Sequence, residues 1–250
     1  MRITAAGLVR IRGQLTETDW KVIETLDRVD TAASGQLRRL HWPEEAQARQ
    51  ARRRLSHLAE MHVVTRLERR IGGVRSGSDG HIYRLDTAGK RLLGQRAVRR
   101  THEPGIRFLD HALAVTEVYV RAIEASRADM VEVVAYSGEP DCWRTWGTGT
   151  LRPDAHLVTR TPNFEDHWFI EVDRATESTK TVARKAGVYD QYYATGLEQE
   201  HHGLFPRVLW VVPGDHRRNQ LLTTKATKSA HSPDLHQIVT EQEIPGIFKP

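Results

Sequence analysis

Two short apolar runs, "RPDAHLVTR" (152–160) and "HWFIEVDRA" (167–175), carry carboxylates, and this pairing constrains the chain more than any other feature. Both read as β-strands. Side chains alternate along a strand, so Glu171 and Asp173 share a face while Val172 points to the core. If the two strands pair, Asp154 meets Glu171. Carboxylates converging at ~4 Å repel unless a cation neutralises them. Oxygen ligands of this kind suit Mg²⁺ or Mn²⁺, and such a metal activates water and stabilises charge on a phosphate. The plainer alternative makes Asp154 a turn residue after Pro153 and pairs Glu171 and Asp173 with Arg174 or Arg184. Burying an acidic pair inside "WFIEVD" without a counter-charge would be costly.

The neighbouring segments give these strands a setting. Residues 106–126, "IRFLDHALAVTEVYVRAIEAS", form an amphipathic helix with Leu109, Leu113, Val120 and Ile123 among its apolar positions. Asp110 and Glu117, seven apart, share a face of it, with His111 beside them. "MVEVVAYSG" (130–138) is a strand, and "DCWRTWGTGT" (141–150) a turn and short strand. Trp143 and Trp146 there either pack in the core or stack on bases. "ESTKTVARKAGVYDQYYATG" (177–196) is a helix with Lys185, Tyr189 and Tyr192 on one side. "RVLWVVPG" (207–214) is a buried strand, and "DHRRNQLLTTKATKSA" (215–230) a last helix. The histidine pair 201–202 falls in a surface loop. Helix, three strands, helix, strand make an α/β sandwich with a small mixed sheet.

The first hundred residues differ in character. "LTETDWKVIETLDRVD" (15–30) offers Thr16 or Thr18 as an N-cap and Trp20, Ile23 and Leu26 at helical spacing. A second short helix starts near Thr31 and ends before Pro43. A third, opened by Pro43 and two glutamates, turns Ala51, Leu55, Leu58 and Ala59 inward and Arg49, Arg52, Arg53 and Ser56 outward. "HVVTRLERRI" and "HIYRLDTAGKRLL" then read as two strands joined by the glycine-rich "GGVRSGSDG". Three helices followed by a hairpin predict an N-terminal winged helix-turn-helix over residues 1–97. Its third helix would lie in the major groove, with Arg75 of the wing along the backbone. Arg49, Arg52, Arg53, Arg69 and Arg70 would neutralise phosphates. The second domain is expected over residues 98–250, after a linker at 94–105.

Charge follows the same division. Residues 1–100 hold 21 Lys and Arg against 11 Asp and Glu, whereas 101–250 hold 16 against 21. A basic half joined to an acidic one suggests a nucleic-acid surface beside a carboxylate site, or else a solvated charged face. A single cysteine, Cys142, excludes an internal disulfide framework and a cysteine-based zinc site. No apolar run approaches the ~18 residues of a membrane span. Arg10 and Arg12 interrupt the N-terminus before a signal-peptide core develops. A reducing bacterial cytoplasm is the expected location.

"RPD" followed at strand spacing by "IEVD" resembles the PD-(D/E)XK nuclease superfamily, and the helix–three-strand–helix–strand order resembles its restriction-endonuclease-like αβββαβ core. A winged helix ahead of "LRPDA…FIEVDRATES…KAGVYDQYY" is more specifically similar to the replication-relaxation family of bacterial plasmids and mobile elements. The resemblance spans nearly the whole chain. It implies Asp154 and Glu171 as metal-binding carboxylates, with Glu117 or Asp110 as an auxiliary acid and His111 at a helix position the narrower family favours. Asp173 stands where the superfamily carries lysine; as a carboxylate it is a third candidate ligand, and Lys185, or next Lys180, would replace the missing cation. Tyr189 and Tyr192 would hydrogen-bond phosphate or hold the lysine. Two functions follow as expectations. One is a metal-dependent DNA endonuclease or nickase in plasmid replication, relaxation or mobilisation, using water or, in a relaxase-like variant, Tyr189, Tyr192 or Tyr193. The other is a non-catalytic DNA-binding replication factor or regulator on an inactive nuclease scaffold. Double-stranded DNA is the expected partner in both, with a homodimer and other plasmid replication or transfer proteins as further partners.

Overall fold

The computed structural model describes residues 3–68, 81–95, 104–147, 149–224, 227–229 and 232–248. The expected DNA-contacting Arg69, Arg70 and Arg75 lie outside the described residues. The chain is a mixed α/β protein that divides into two units, Met1–Val120 and Arg121–Pro250. The division falls inside one long helix.

The first unit opens with helix α1 (Ala5–Arg12), which the sequence pattern does not announce because none of its residues is buried. Helix α2 (Glu17–Val29) begins at a capping box: Thr16 N–H donates to Asp19 Oδ2 at 2.8 Å, and Asp19 N–H donates back to the Thr16 hydroxyl at 3.3 Å. Strand β1 (Ala32–Ala33) leads into helix α3 (Ser34–His41), and helix α4 (Ala48–Glu60) follows. Strands β2 (Val64–Glu68) and β3 (His81–Leu85) pair antiparallel, and β1 adds to β3, giving the order β1-β3-β2. Val22, Ile23, Leu26, Leu37, Ala51, Leu55, Leu58, Val63 and Tyr83 build the core. Helix α5 (Thr87–Leu92) packs so closely on the residue before β2 that a Cβ on Gly89 would stand 2.3 Å from the Val63 carbonyl oxygen. Only glycine fits there.

Helix α6 (Ile106–Arg127) carries the chain into the second unit. There β4 (Glu132–Gly138), the β5–β6 hairpin (Arg144–Trp146, Gly149–Leu151), β7 (Ala155–Arg160) and β8 (Glu165–Val172) are followed by helices α7 (Thr179–Thr195) and α8 (Leu197–His202), then β9 (Arg207–Val212), α9 (Asp215–Thr223), β10 (His236–Thr240) and α10 (Ile244–Ile247). The five-stranded sheet has the order β10-β9-β8-β7-β4. The pairs β4–β7 and β7–β8 are antiparallel, while β8–β9 and β9–β10 are parallel. Each parallel step is made through helices, as parallel neighbours require. Strand β9 is buried from Val208 to Val212, which accounts for its continuous apolar run. Two sequence expectations change here. The pair His201–His202 ends a short helix rather than lying in a loop, though both side chains are exposed as expected. The helix at 215–230 is shorter and is followed by strand β10, whose polar sequence conceals an edge strand.

Candidate functional site

Antiparallel pairing of β7 and β8 sets Ala155 opposite Ile170, so the residue entering β7 meets the residue near the end of β8. Asp154 sits at that junction. Its N–H donates to the Ile170 carbonyl at 3.0 Å, and its Oδ2 accepts the Val172 N–H at 2.7 Å. One oxygen of this carboxylate is therefore fixed by backbone. Glu171 lies beside it in β8 and is 1% exposed.

Helix α7 supplies the remaining groups. Ser178 caps it by accepting the Thr181 N–H, and Val182, Ala186, Tyr189 and Tyr192 form its buried face. Lys185 and Tyr189, one turn apart, both reach Glu171. The Tyr189 hydroxyl donates to Oε1 at 2.5 Å. The Lys185 ammonium forms an ion pair with Oε2 and stands 3.9 Å from Asp154 Oδ1. The arginines of the plainer alternative are elsewhere: Arg174 pairs with Glu241, and Arg184 is exposed, as is Lys180.

Electrostatics follow from burial. Burial pushes the Glu171 carboxyl upward and Asp154 adds to the shift, while the Lys185 ammonium paired with it opposes the rise and favours the ionised form. Burial works against charge on Lys185, but Glu171 and Asp154 outweigh it and hold the ammonium protonated. Tyr189 is raised well above the ordinary phenol range by burial and then by Glu171. A neutral, firmly protonated phenol on a carboxylate is a donor, not a nucleophile. Tyr192 behaves similarly, donating to Glu198 at 2.7 Å with its own ionisation pushed upward by burial. Cys142 is buried, and its thiol is raised to about 12 by burial, so it too is inert.

Asp173 has a different partner. Its Oδ2 accepts from Arg217 Nε at 2.7 Å and its Oδ1 from the Ala175 N–H at 2.7 Å. Arg217, from α9, also donates to the Glu177 carbonyl at 2.8 Å and to Gln220 at 2.7 Å. This buried pair pins the loop that leads into α7 and so helps set where that helix, and with it Lys185, is placed. The sequence does not disclose it, because Arg217 lies on a separate helix after another strand. Among the described residues, no group of three or more His, Cys, Asp and Glu is placed to hold a metal.

In the first unit, Glu117 accepts two hydrogen bonds from Arg39 Nη1, at 2.7 and 2.9 Å, and one from Gln36 at 3.1 Å. Asp110 and His111 are half-buried on the same helix. On α4, Ala51, Leu55 and Leu58 are buried and Arg54 turns in to Asp19. Arg49, Arg52 and Arg53 are exposed. Trp143 donates to Glu139 at 3.2 Å and lies under Arg152, while Trp146 packs on Tyr192 with ring centroids 5.1 Å apart.

A family model described as Replication-relaxation matches residues 23–208. The chain belongs to the replication-relaxation family. The match begins within α2 and ends at the start of β9, so it takes in the exposed arginines of α4 as well as Asp154, Glu171 and Lys185. Membership ties the chain to replication or relaxation of plasmids and mobile elements, and hence to DNA. No curated protein and no solved structure matches this member of the replication-relaxation family. No described helix is long and apolar enough to cross a membrane.

Proposed function

We propose that this replication-relaxation protein is a metal-dependent DNA endonuclease or nickase, with an N-terminal winged helix that holds duplex DNA and a restriction-endonuclease-like second domain that cuts it. The observation that carries the reading is the convergence of Asp154, Glu171 and Lys185 at one end of the β7–β8 pair. Three helices and the antiparallel sheet β1-β3-β2 support the winged helix, and the exposed arginines of α4 support its docking in a groove. Helix α6, most of which lies in the first unit, precedes strands β4, β7 and β8, helix α7 and strand β9 in the αβββαβ order, with β5–β6 as an inserted hairpin.

The donor set fits Mg²⁺ or Mn²⁺. Both carboxylates are hard oxygen ligands, and Glu171 Oε2 is buried with the Lys185 ammonium as its partner. Ions of this class commonly take one or two carboxylates and complete their shell with water and substrate phosphate. Asp154 and Glu171 would hold the cation, which when bound supplies Lewis-acid charge and an activated water at the phosphodiester. The chain's own groups do the rest. Val172 N–H and Tyr189 fix one oxygen of each carboxylate, so the others keep their direction. Lys185 brings a permanent positive charge to the place where the phosphate gains negative charge. Water is the nucleophile in this reading: Tyr189 and Tyr192 are protonated and bonded to carboxylates, and Tyr193 packs on Phe205 with ring centroids 5.0 Å apart. Asp173, Glu117 and His111 carry no step in this reading.

The non-catalytic alternative has its own support. The position where the superfamily carries lysine is Asp173, here neutralised by Arg217. The discriminating experiment is conversion of supercoiled plasmid in Mn²⁺ by the wild-type protein and Asp154→Ala. Nicked or linear product from the wild type alone supports the nuclease. No product from either, with equal gel shifts of the DNA, leaves the DNA-binding scaffold.

A further inference from the structure

The geometry points to Lys185 as an exchangeable resident cation that keeps metal off the carboxylate pair until a DNA phosphate draws the ammonium away. The inference rests on the metal-site reading above and adds its regulation.

Each carboxylate has one oxygen tied down: Asp154 Oδ2 by the Val172 N–H and Glu171 Oε1 by the Tyr189 hydroxyl. Lys185 stands against the other oxygen of each, paired with Glu171 Oε2 and 3.9 Å from Asp154 Oδ1. A cation shared by the two carboxylates would compete with Lys185 for them. With Glu171 buried, water screens little, so an ammonium and a divalent ion on one oxygen would repel strongly. The two cations therefore alternate.

The lysine is built to leave. Its side chain is 36% exposed although its partner is only 1% exposed, so the lysine enters the site from its solvent edge rather than through the core. A phosphodiester oxygen arriving at the site offers it a second anion. Asp154 and Glu171 would then hold the metal, with the ammonium already on the phosphate where charge will develop. By reciprocity, DNA raises metal affinity and metal raises DNA affinity by the same factor. Free protein is thereby kept from loading metal and cutting before duplex is seated.

The test is Mn²⁺ binding, read by loss of the free-ion electron paramagnetic resonance signal, with and without a short duplex and with the signal of duplex alone subtracted. Wild type, Lys185→Gln, Lys185→Met and Lys185→Arg are compared, with folding checked by circular dichroism. Without DNA, the Gln and Met variants should bind Mn²⁺ about tenfold more tightly than wild type, and the Arg variant should not. Duplex should raise the wild-type affinity by about the same factor and leave Lys185→Gln unchanged. Equal Mn²⁺ affinity in wild type and in whichever neutral variant folds overturns the exchange and leaves the metal site standing. Absence of Mn²⁺ binding in every form, with or without duplex, overturns both.

Discussion

Replacing Tyr189 by Phe removes one oxygen atom from a fully buried side chain and keeps the ring. That ring packs at 5.8 Å from Phe169 and 5.9 Å from His236, centroid to centroid, and those contacts survive the change. What is lost is the 2.5 Å hydrogen bond to Glu171 Oε1. A hydrogen bond to a charged acceptor contributes about 1.5–3 kcal/mol, and leaving a buried carboxylate oxygen without its donor acts in the same direction. A loss of about 2 kcal/mol multiplies a local opening equilibrium by roughly 30. Hydrogen exchange followed by mass spectrometry on the peptide covering β8 reads that opening directly, because strand amides exchange only when the strand releases. The substitution should speed exchange of the β8 amides by about that factor and leave α2 and α4 of the first unit unchanged. Exchange within about twofold of wild type would refute the view that Tyr189 braces the glutamate.

Three further outcomes are expected. Arg217→Met or Asp173→Asn breaks a buried ion pair and should cost about 3–5 kcal/mol, lowering the thermal midpoint of the second unit; an unchanged midpoint would contradict the anchoring role. Burial pushes His156 and His236 down to about 4, so below pH ~6.5 the unfolded chain takes up protons that the folded chain refuses. Stability should be full above that pH and fall by roughly 3 kcal/mol per histidine as pH drops towards 4, and a flat melting temperature across this window would count against it. Substituting Arg49, Arg52 and Arg53 together by alanine should reduce the salt dependence of duplex binding by about three ion equivalents, measured by fluorescence anisotropy against salt; an unchanged slope would remove α4 from the interface.

Much of the site is legible in the sequence for definite reasons. Strand alternation directs Glu171, the turn after Pro153 places Asp154 at the strand entry, and helical spacing puts Lys185 and Tyr189 on one side of α7. These are local periodicities, and the observed β7–β8 register joins them. Partner choice between distant elements is not local. Arg217 reaches Asp173 across 44 residues, and nothing in "DHRRNQLL" distinguishes it from Arg218, which pairs with Asp215 and Glu243 instead. Helix α1 escapes notice because it buries no residue, and β10 because "HQIVT" is a short, half-polar edge strand. Tyr189 carries a helical signal but no sign that its hydroxyl belongs to the glutamate rather than to a ligand.

The account stands most directly on Glu171. Glu171→Gln keeps the shape of the side chain and its bond from Tyr189 but removes the charge that would hold a cation. Nicking of supercoiled plasmid in Mn²⁺ should fall by about a thousandfold or more, while the gel shift of the same DNA is unchanged. Nicking at the wild-type rate by the glutamine variant would contradict a catalytic centre at this carboxylate pair.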